Sequence, residues 1–413
     1  MKMAERAMRQ LDLQEYLSSE HRLNASELRA LLEAGDLGLS VAPTPNEGVY
    51  VLKPESTVGA VEVGQLSVLI RPKIGIPQLV SLACYTIGKV RFQETDFDFP
   101  EETALPDAIA LLLTRAARRA FSRGLLHGYR MEEEALHTVR GRIRFDDQIR
   151  RRVGFPLPVE VRYDEFTDDI LPNRLVKAAV MRLGGMRLRS REARVGLGWV
   201  AAMLDSVSLV EFPAKDVPEV PFDRLNEHYR GVVTLARLIL RRGAFESGRG
   251  AVRAGGFLMD MNQVFQEFVT AALREALGVS ERELCSDRGM PTRVTLAEGN
   301  RVRLEPDLSW WNGTVCTFVG DVKYKRVDGS VPNADLYQLL AYATALDLPG
   351  GLLVYAQDER EPATYTVRRS GKRLHVAALD ISGTLEEVLE RIEGLAGKVR
   401  SLRDQARRMP YAA

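Results

Sequence analysis

The sequence predicts a protein of mixed α+β or α/β class, with a β-rich and helical N-terminal region over residues 1–250 and a second domain over 251–413. Three observations support this prediction. Short alternating strands divided by glycine and proline occupy residues 49–71, and amphipathic helices dominate residues 77–242. In the last domain two strands joined by a turn precede a helix and another strand, which is typical of a central mixed sheet flanked by helices. The glycine-rich stretch 243–256 marks the boundary between the two regions.

The composition is that of an ordinary soluble protein, with 45% hydrophobic and 27% charged residues. No apolar run is long enough to cross a membrane, so we expect a cytoplasmic protein without membrane contact. Three cysteines and five histidines lack the spacing of a zinc site. The Gly-x4-Gly-Lys-Ser/Thr pattern does not occur, which argues against nucleotide hydrolysis by a P-loop.

The net charge is only +1, but arginines cluster at residues 115–123, 150–152 and 182–194. These clusters could contact nucleic-acid phosphates. The simpler alternative is that they lie on solvated helix faces.

The N-terminal region divides into segments by hydrophobic period and by glycine or proline. Residues 11–36 are predicted to be helical, with a cap at Asn24 or Ser26, and Gly141 is predicted to lie in a hairpin. The predicted strands are Val49–Lys53, Gly59–Val63, Leu66–Arg71, Tyr129–Val139, Arg142–Phe145 and Phe155–Phe166. The predicted helices are Pro77–Ile87, Pro106–Leu126, Asp168–Leu183, 191–205 and Leu225–Arg242.

The second domain opens with a helix and ends with one. The turn signal Trp311-Asn312-Gly313 predicts a hairpin between its first two strands. The predicted strands are Arg301–Ser309, Val315–Lys325, Gly350–Tyr355, Ala363–Arg369 and Arg373–Leu379. The predicted helices are Met259–Leu277, Asn333–Leu348 and Thr384–Arg408.

Each strand of this hairpin carries one carboxylate, Asp307 on the first and Asp321 on the second. Lys323 follows Asp321 by two residues, so both side chains leave the same face of the strand. Two acidic groups and an ammonium placed side by side suit a hard divalent cation and an attacking water. The bland alternative is two surface carboxylates beside a salt-bridging lysine.

The spacing resembles the Pro-Asp…Asp/Glu-x-Lys signature of the PD-(D/E)xK nuclease superfamily, here Pro306-Asp307 and Asp321-Val322-Lys323. The helix after the second strand carries Gln338 and Tyr342, which are neighbours at i and i+4 and resemble the Gln-xxx-Tyr feature of one branch of that superfamily. The resemblance implies a restriction-endonuclease-like domain. It also implies that an acidic residue of the preceding helix joins the metal site, and Glu267 is the candidate.

Several stretches together resemble McrC, the nuclease subunit of McrBC-type modification-dependent restriction systems. They are Ile70–Gly75, Val139–Ile149, Arg162–Ala179, Met261–Val269 and Arg303–Tyr342. The resemblance implies an Mg²⁺-dependent endonuclease, with Mn²⁺ as a substitute, that cleaves modified, methylcytosine-containing double-stranded DNA. It also implies a partner, an McrB-like AAA+ GTPase ring, whose GTP hydrolysis this chain stimulates.

The resemblance also assigns roles to individual residues. Asp307, Asp321, the carbonyl of Val322 and Glu267 would hold the metal. Lys323 would orient the water, with Gln338 and Tyr342 in support. Two alternatives remain, a non-catalytic scaffold or GTPase-activating subunit with a decayed nuclease domain, and a stand-alone exonuclease or repair nuclease. Both the acidic segment Gln93–Glu102 and the helix around Arg115–Arg123 are candidates for docking into the ring.

Overall fold

A computed structural model describes residues 8–90, 92, 94–100, 102–152, 154, 157–242, 245–249, 252–286, 289–325, 331–356 and 363–408. The strands are β1 Arg9–Gln14, β2 Ser19–Arg22, β3 Leu39–Pro43, β4 Val49–Pro54, β5 Thr57–Val63, β6 Leu66–Arg71, β7 Gly128–Leu136, β8 Arg142–Ile143, β9 Val159–Thr167, β10 Phe245–Arg249, β11 Val252–Asp260, β12 Leu284–Cys285, β13 Leu308–Asn312, β14 Val315–Lys323, β15 Gly350–Ala356, β16 Ala363–Thr366 and β17 Arg373–Leu379. The α-helices are α1 Ala25–Glu33, α2 Ile76–Gly88, α3 Leu105–Ala120, α4 Phe145–Arg151, α5 Leu171–Gly184, α6 Arg191–Met203, α7 Arg230–Arg242, α8 Met261–Leu277, α9 Asn333–Ala345 and α10 Leu385–Arg408. Short 3-10 helices span Glu94–Phe97, Ala214–Asp216, Glu227–Tyr229 and Glu298–Asn300.

The chain forms two compact units. Their boundaries along the sequence differ from the single boundary predicted near residue 250. The first unit contains residues 1–91, 247–254 and 258–413, and the second contains residues 92–246 and 255–257. The first unit therefore combines the N-terminal strands with the C-terminal sheet.

The N-terminal strands of the first unit form two sheets, with strand orders β1-β6-β5-β11-β10 and β2-β4-β3. β1 runs parallel to β6 and buries Leu11 and Leu13, while Asp12 is exposed. This period of two is that of a strand, so the helix predicted over residues 11–36 is wrong in its first half. The helix begins at Ala25 behind a capping box in which Asn24 and Glu27 exchange hydrogen bonds, which confirms the Asn24 cap.

The glycine-rich stretch 243–256, where the sequence suggested a domain boundary, contributes to two strands, because β10 and β11 belong to the N-terminal sheet. Phe257 and Met259 are buried on alternate positions of β11. The adjacent glycines Gly255 and Gly256 interrupt the apolar pattern of β11 and concealed this strand in the sequence. Residues 243, 244, 250 and 251 lie outside the described residues.

The C-terminal part of the first unit is a mixed sheet with the order β12-β13-β14-β15-β17-β16. β13 and β14 form the predicted antiparallel hairpin, and β14, β15 and β17 run parallel. Helix α9 packs Leu339 and Tyr342 into the core formed with Val319 and Leu353. On the other face, Phe265 of α8 contacts the ring of Tyr324, with 5.8 Å between centroids. The expected mixed sheet with helices on both faces is confirmed.

The second unit packs α3 against α6 and α7, and α5 against the same two helices. Beside them lies a three-stranded sheet with the order β7-β9-β8. The hairpin predicted around Gly141 is wrong, because β7 and β8 each pair with β9 and not with each other. Gly141 has φ +70° and lies so close to β9 that a Cβ there would be 2.3 Å from the Arg162 carbonyl oxygen.

Several arginines of the predicted clusters bind other parts of the second unit. Arg115 donates to the carbonyls of Asp96 and Asp98, and Arg119 pairs with the Asp96 carboxylate. The two candidate ring-docking segments are thus tied to each other. In the part of the chain that the structure describes, no helix is long and apolar enough to span a membrane.

Candidate active site

The hairpin brings the two predicted carboxylates to neighbouring positions. Leu308 at the start of β13 pairs with Gly320 of β14. Asp307, one residue before Leu308, therefore comes opposite Asp321 in the antiparallel register. Side chains directly opposite each other in such a pair lie about 5 Å apart at Cβ, which is close enough for two carboxylates to share one cation.

Two donors fix the orientation of Asp307. The backbone N–H of Val322 donates to Oδ2 at 2.9 Å, and the side-chain amide of Gln266 in α8 donates to Oδ1 at 2.8 Å. Each carboxylate oxygen has therefore used one lone pair and keeps another.

Asp321 is only 1% exposed, and its surroundings leave it with spare acceptor capacity. Lys323 Nζ lies 2.7 Å from Oδ2, on the same face of β14. Among the described residues, neither Asp321 oxygen has a hydrogen bond of good geometry. Lys323 supplies a single positive charge to a pair of carboxylates that includes Asp307, so this donor set still fits a hard divalent cation.

The number of protein ligands at this site is small. Within the described ranges, no group of three or more histidine, cysteine or acidic side chains is arranged to hold a metal ion. Mg²⁺ commonly binds through one or two carboxylates and retains several waters, so two aspartates with a backbone carbonyl suit it better than they suit Ca²⁺ or Zn²⁺.

The electrostatics of the site follow from burial and from like charge. Burial raises the pKa of Asp307 to about 7, and the neighbouring Asp321 charge adds to the effect. Burial alone would lower the pKa of Lys323, but the charge and hydrogen bond of Asp321 together with the charges of Asp307 and Asp335 outweigh it, so this pKa is raised and the side chain is an ammonium. A divalent cation would relieve the repulsion between the two carboxylates.

Gln338 and Tyr342 meet as the helical spacing predicts, but they act on the backbone and not on the carboxylates. Gln338 donates to the Tyr342 hydroxyl at 2.8 Å, and that hydroxyl donates to the carbonyl of Glu305 at 3.1 Å. The pair therefore fixes the chain two residues before Asp307. Burial and the charges of Asp321 and Asp307 raise the pKa of Tyr342, so its hydroxyl stays a donor.

Helix α8 contributes Gln266 to the site in the place where the sequence suggested Glu267. Glu267 is half-buried and, unlike Asn262 and Gln266, is not among the described residues that line the cavity beside Asp307. Successive helical residues differ by about 100° around the axis, so a shift of one position changes the face. The spacing of Asn262 and Gln266 beside the buried stripe was the signal that could have identified Gln266.

A cavity of about 570 Å³ opens in front of these groups. Asp307, Val322 and Lys323 line one part of it. Lys325 and the buried Asp335 also line it, paired at 2.7 Å, and Asp335 accepts a further bond from Tyr355. The N-terminal strands supply the remaining wall, which sequence reasoning missed, with residues Tyr16, Ser40, Lys53, Glu55 and Ser56.

The fold places the chain among the mixed α/β proteins, and its C-terminal sheet carries Asp307, Asp321 and Lys323 side by side. The chain belongs to the family of the McrBC 5-methylcytosine restriction system component, whose sequence model matches residues 52–356. This confirms the family predicted from the sequence. A search of curated proteins gives no match.

Two solved structures are similar to this chain. One is the half-complex from a tetradecameric assembly of Thermococcus gammatolerans McrB AAA+ hexamers with bound McrC. One chain of that structure is 18% identical to this chain, and the match has a TM-score of 0.59. It covers 94% of this chain and 100% of that chain. The other is the Thermococcus gammatolerans McrBC complex, with 20% identity, 66% and 89% coverage and a TM-score of 0.42. At this level of identity the first similarity establishes the fold alone.

Proposed function

We propose that this protein is the Mg²⁺-dependent endonuclease subunit of a McrBC-type restriction system and cleaves methylcytosine-containing double-stranded DNA. Its partner in this proposal is an AAA+ GTPase ring, whose hydrolysis it stimulates. Family membership supports the restriction role, and the similar half-complex of McrB hexamers with bound McrC supports the partner.

One observation carries the nuclease assignment. Asp321 is buried with unsatisfied oxygens opposite Asp307 and beside Lys323. A merely structural salt bridge would pair one acid with one base, whereas here two acids share one lysine at an open cavity. That excess of negative charge suits a divalent cation, which could in turn bind a DNA phosphate.

Each residue has a defined task in this proposal. Asp307, Asp321 and the carbonyl of Val322 hold Mg²⁺ or Mn²⁺, which when bound lowers the pKa of a water and stabilises charge on the scissile phosphate. Lys323 orients the water and neutralises developing charge. Gln266 keeps Asp307 aligned. Glu267 is left outside the set of direct ligands, because Gln266 is the residue of α8 that contacts Asp307.

Isosteric variants of the site test this function. Asp307→Asn, Asp321→Asn and Lys323→Gln should each lower the cleavage rate about 100-fold or more, measured on methylated DNA with the GTPase partner, GTP and Mg²⁺. Glu305→Gln is the matched control, because that exposed carboxylate pairs with Arg303 and lies two residues from Asp307. The control should cleave normally, and all four proteins should keep the melting temperature within a few degrees.

Two further measurements separate the alternatives. Calorimetry with Mn²⁺ should give binding to the wild type and none to Asp321→Asn, whereas a scaffold with a decayed site predicts no binding to either. Degradation of DNA from free ends without the GTPase would instead favour a stand-alone exonuclease. Wild-type cleavage by all three site variants would falsify the assignment.

A further inference from the structure

We propose that the N-terminal strands β1 to β6 and the turns between them brace the nuclease centre and that Tyr16 is a positioning residue for Lys323. This inference rests on the proposed nuclease function. It gives the N-terminal strands a part in DNA cleavage that is separate from any docking role.

The first point of support is at the end of β14. The Tyr16 hydroxyl donates to the carbonyl of Tyr324 at 2.7 Å, across 308 residues of sequence. Tyr324 directly follows Lys323, and the pairing of β14 with β15 ends at Lys323. The hydroxyl of Tyr16 therefore holds the backbone at the position where the sheet stops holding it.

The backbone of Tyr16 is itself unusual. Its φ is +62°, in the left-handed region that non-glycine residues seldom occupy. Its N–H donates to the carbonyl of Pro54 at 3.1 Å, and the N–H of Glu15 donates to that of Arg71 at 3.0 Å. Two strands thus fix a strained conformation that directs the tyrosine ring towards β14, and such strain concentrates at functional positions.

The side chain of Tyr324 is locked on the face opposite to Lys323. It is fully buried, and Lys73 Nζ lies 3.8 Å from the centre of its ring. The Tyr16 ring lies 6.5 Å from it, and the buried carboxylate of Glu15 accepts the backbone N–H of Lys73 at 3.0 Å. Rotation of the backbone at Tyr324, which would displace Lys323, is opposed by packing from all these groups.

The second point of support is at the start of α8. Ser56 donates from its hydroxyl to Asp260 at 2.9 Å and accepts the N–H of Met261 at its carbonyl, at 2.8 Å. Asp260 caps α8, the helix whose Gln266 aligns Asp307. The N-terminal strands consequently hold both the lysine side and the aspartate side of the centre.

The test is Tyr16→Phe in the full-length protein, because this change removes only the hydroxyl. We expect kcat for cleavage to fall about tenfold or more, with KM for DNA, calorimetric Mn²⁺ affinity and melting temperature close to wild type. Tyr85→Phe is the matched control, because it removes another part-buried tyrosine hydroxyl, one that donates to Glu275 away from the cavity. It should leave kcat unchanged.

A double-mutant cycle identifies the route of the effect. If Tyr16 acts through Lys323, Tyr16→Phe should cause no further loss in a Lys323→Gln background. An additive loss, an unchanged kcat, or a loss equal to that of Tyr85→Phe overturns the inference. If Tyr16→Phe leaves kcat unchanged while Asp321→Asn is inactive, only the positioning role of Tyr16 is rejected. If Asp321→Asn cleaves DNA normally, the proposed nuclease function itself is rejected.

Discussion

The unfavourable electrostatic free energy of the site falls mainly on the carboxyl group of Asp307. Burial and the nearby Asp321 make its ionised form unfavourable, which is why its pKa is raised to about 7. Without a cation, the protein therefore loses stability when this group loses its proton. The two hydrogen bonds from Val322 and Gln266 offset part of this cost but not the repulsion.

This pKa predicts a stability difference with a defined pH dependence. The pKa of Asp307 is 3.8 in the unfolded chain and about 7 in the folded protein. The protonated carboxyl therefore stabilises the folded state fully below pH 3.8. This stabilisation is lost as the pH rises through about 7. Metal-free Asp307→Asn, which cannot ionise, should thus be more stable than wild type by about 2 kcal/mol at pH 8 and equal to it near pH 3.5. Thermal melts in EDTA measure this, and a wild type that is the more stable protein at pH 8 contradicts it.

At the scale of elements, the stretch Arg162–Ala179 has a physical role that its sequence did not reveal. Asp169 before α5 accepts hydrogen bonds from Arg174, Arg130 and Ser208. Further along, Asn173 is fully buried and donates to the carbonyls of Leu126 and Asp168. The stretch is a polar junction that ties β7 and the chain after α6 to α5.

The junction predicts an acid-dependent loss of stability in the second unit. The hydrogen bonds from the Arg174 side chain hold the pKa of Asp169 well below its usual range, so its stabilisation is present above about pH 4 and lost at lower pH. Asp169→Asn should cost about 3 kcal/mol at pH 7, because it leaves Arg174 and Arg130 without their common anion. Urea unfolding should give a large difference at pH 7 and a clearly smaller one at pH 2, because the stabilisation is lost only as the pH falls towards the lowered pKa of Asp169. Equal differences at both values would show that the charge is not the cause.

Local patterns predicted the elements whose partners are close in sequence. The hairpin of β13 and β14, helix α9 and the Asn24 cap follow from turn chemistry, apolar period and capping residues within a few positions. The strand β1 was missed because its partner β6 lies more than 50 residues away. Gln266 was missed because the sequence suggested that α8 contributes a carboxylate to the site, whereas the Gln266 amide donates to the carboxylate of Asp307.

At the scale of the whole molecule, the N-terminal strands and the C-terminal sheet share one compact unit. The contact between Tyr16 and Tyr324 has no local signature in the sequence. A boundary based on glycine content therefore separated the N-terminal strands from the C-terminal sheet, although both belong to one compact unit. Composition locates flexible stretches of chain, but it does not indicate which distant segments pack together.

This shared unit predicts that a metal at Asp307 and Asp321 is felt in the N-terminal sheet. A ligand that binds only the folded state stabilises it by about 2.7 kcal/mol at a hundred times its Kd. Saturating Mn²⁺ should therefore slow amide exchange in β1 and β6 as well as in β13 and β14. Asp321→Asn should show no such protection. Protection confined to β13 and β14 would mean that the two sheets open independently.

The tie between Tyr16 and Tyr324 also sets a schedule for the nascent chain. Tyr16 is synthesised 308 residues before Tyr324. This separation corresponds to roughly 15–60 s at about 5–20 residues per second. During that time β1 and β6 can already pair, whereas Asp307 and Lys323 are made only shortly before Tyr324. If the proposed nuclease function holds, a nascent chain that ends before Tyr324 lacks the contact that positions Lys323, so the complete catalytic centre can assemble only after translation has passed this residue.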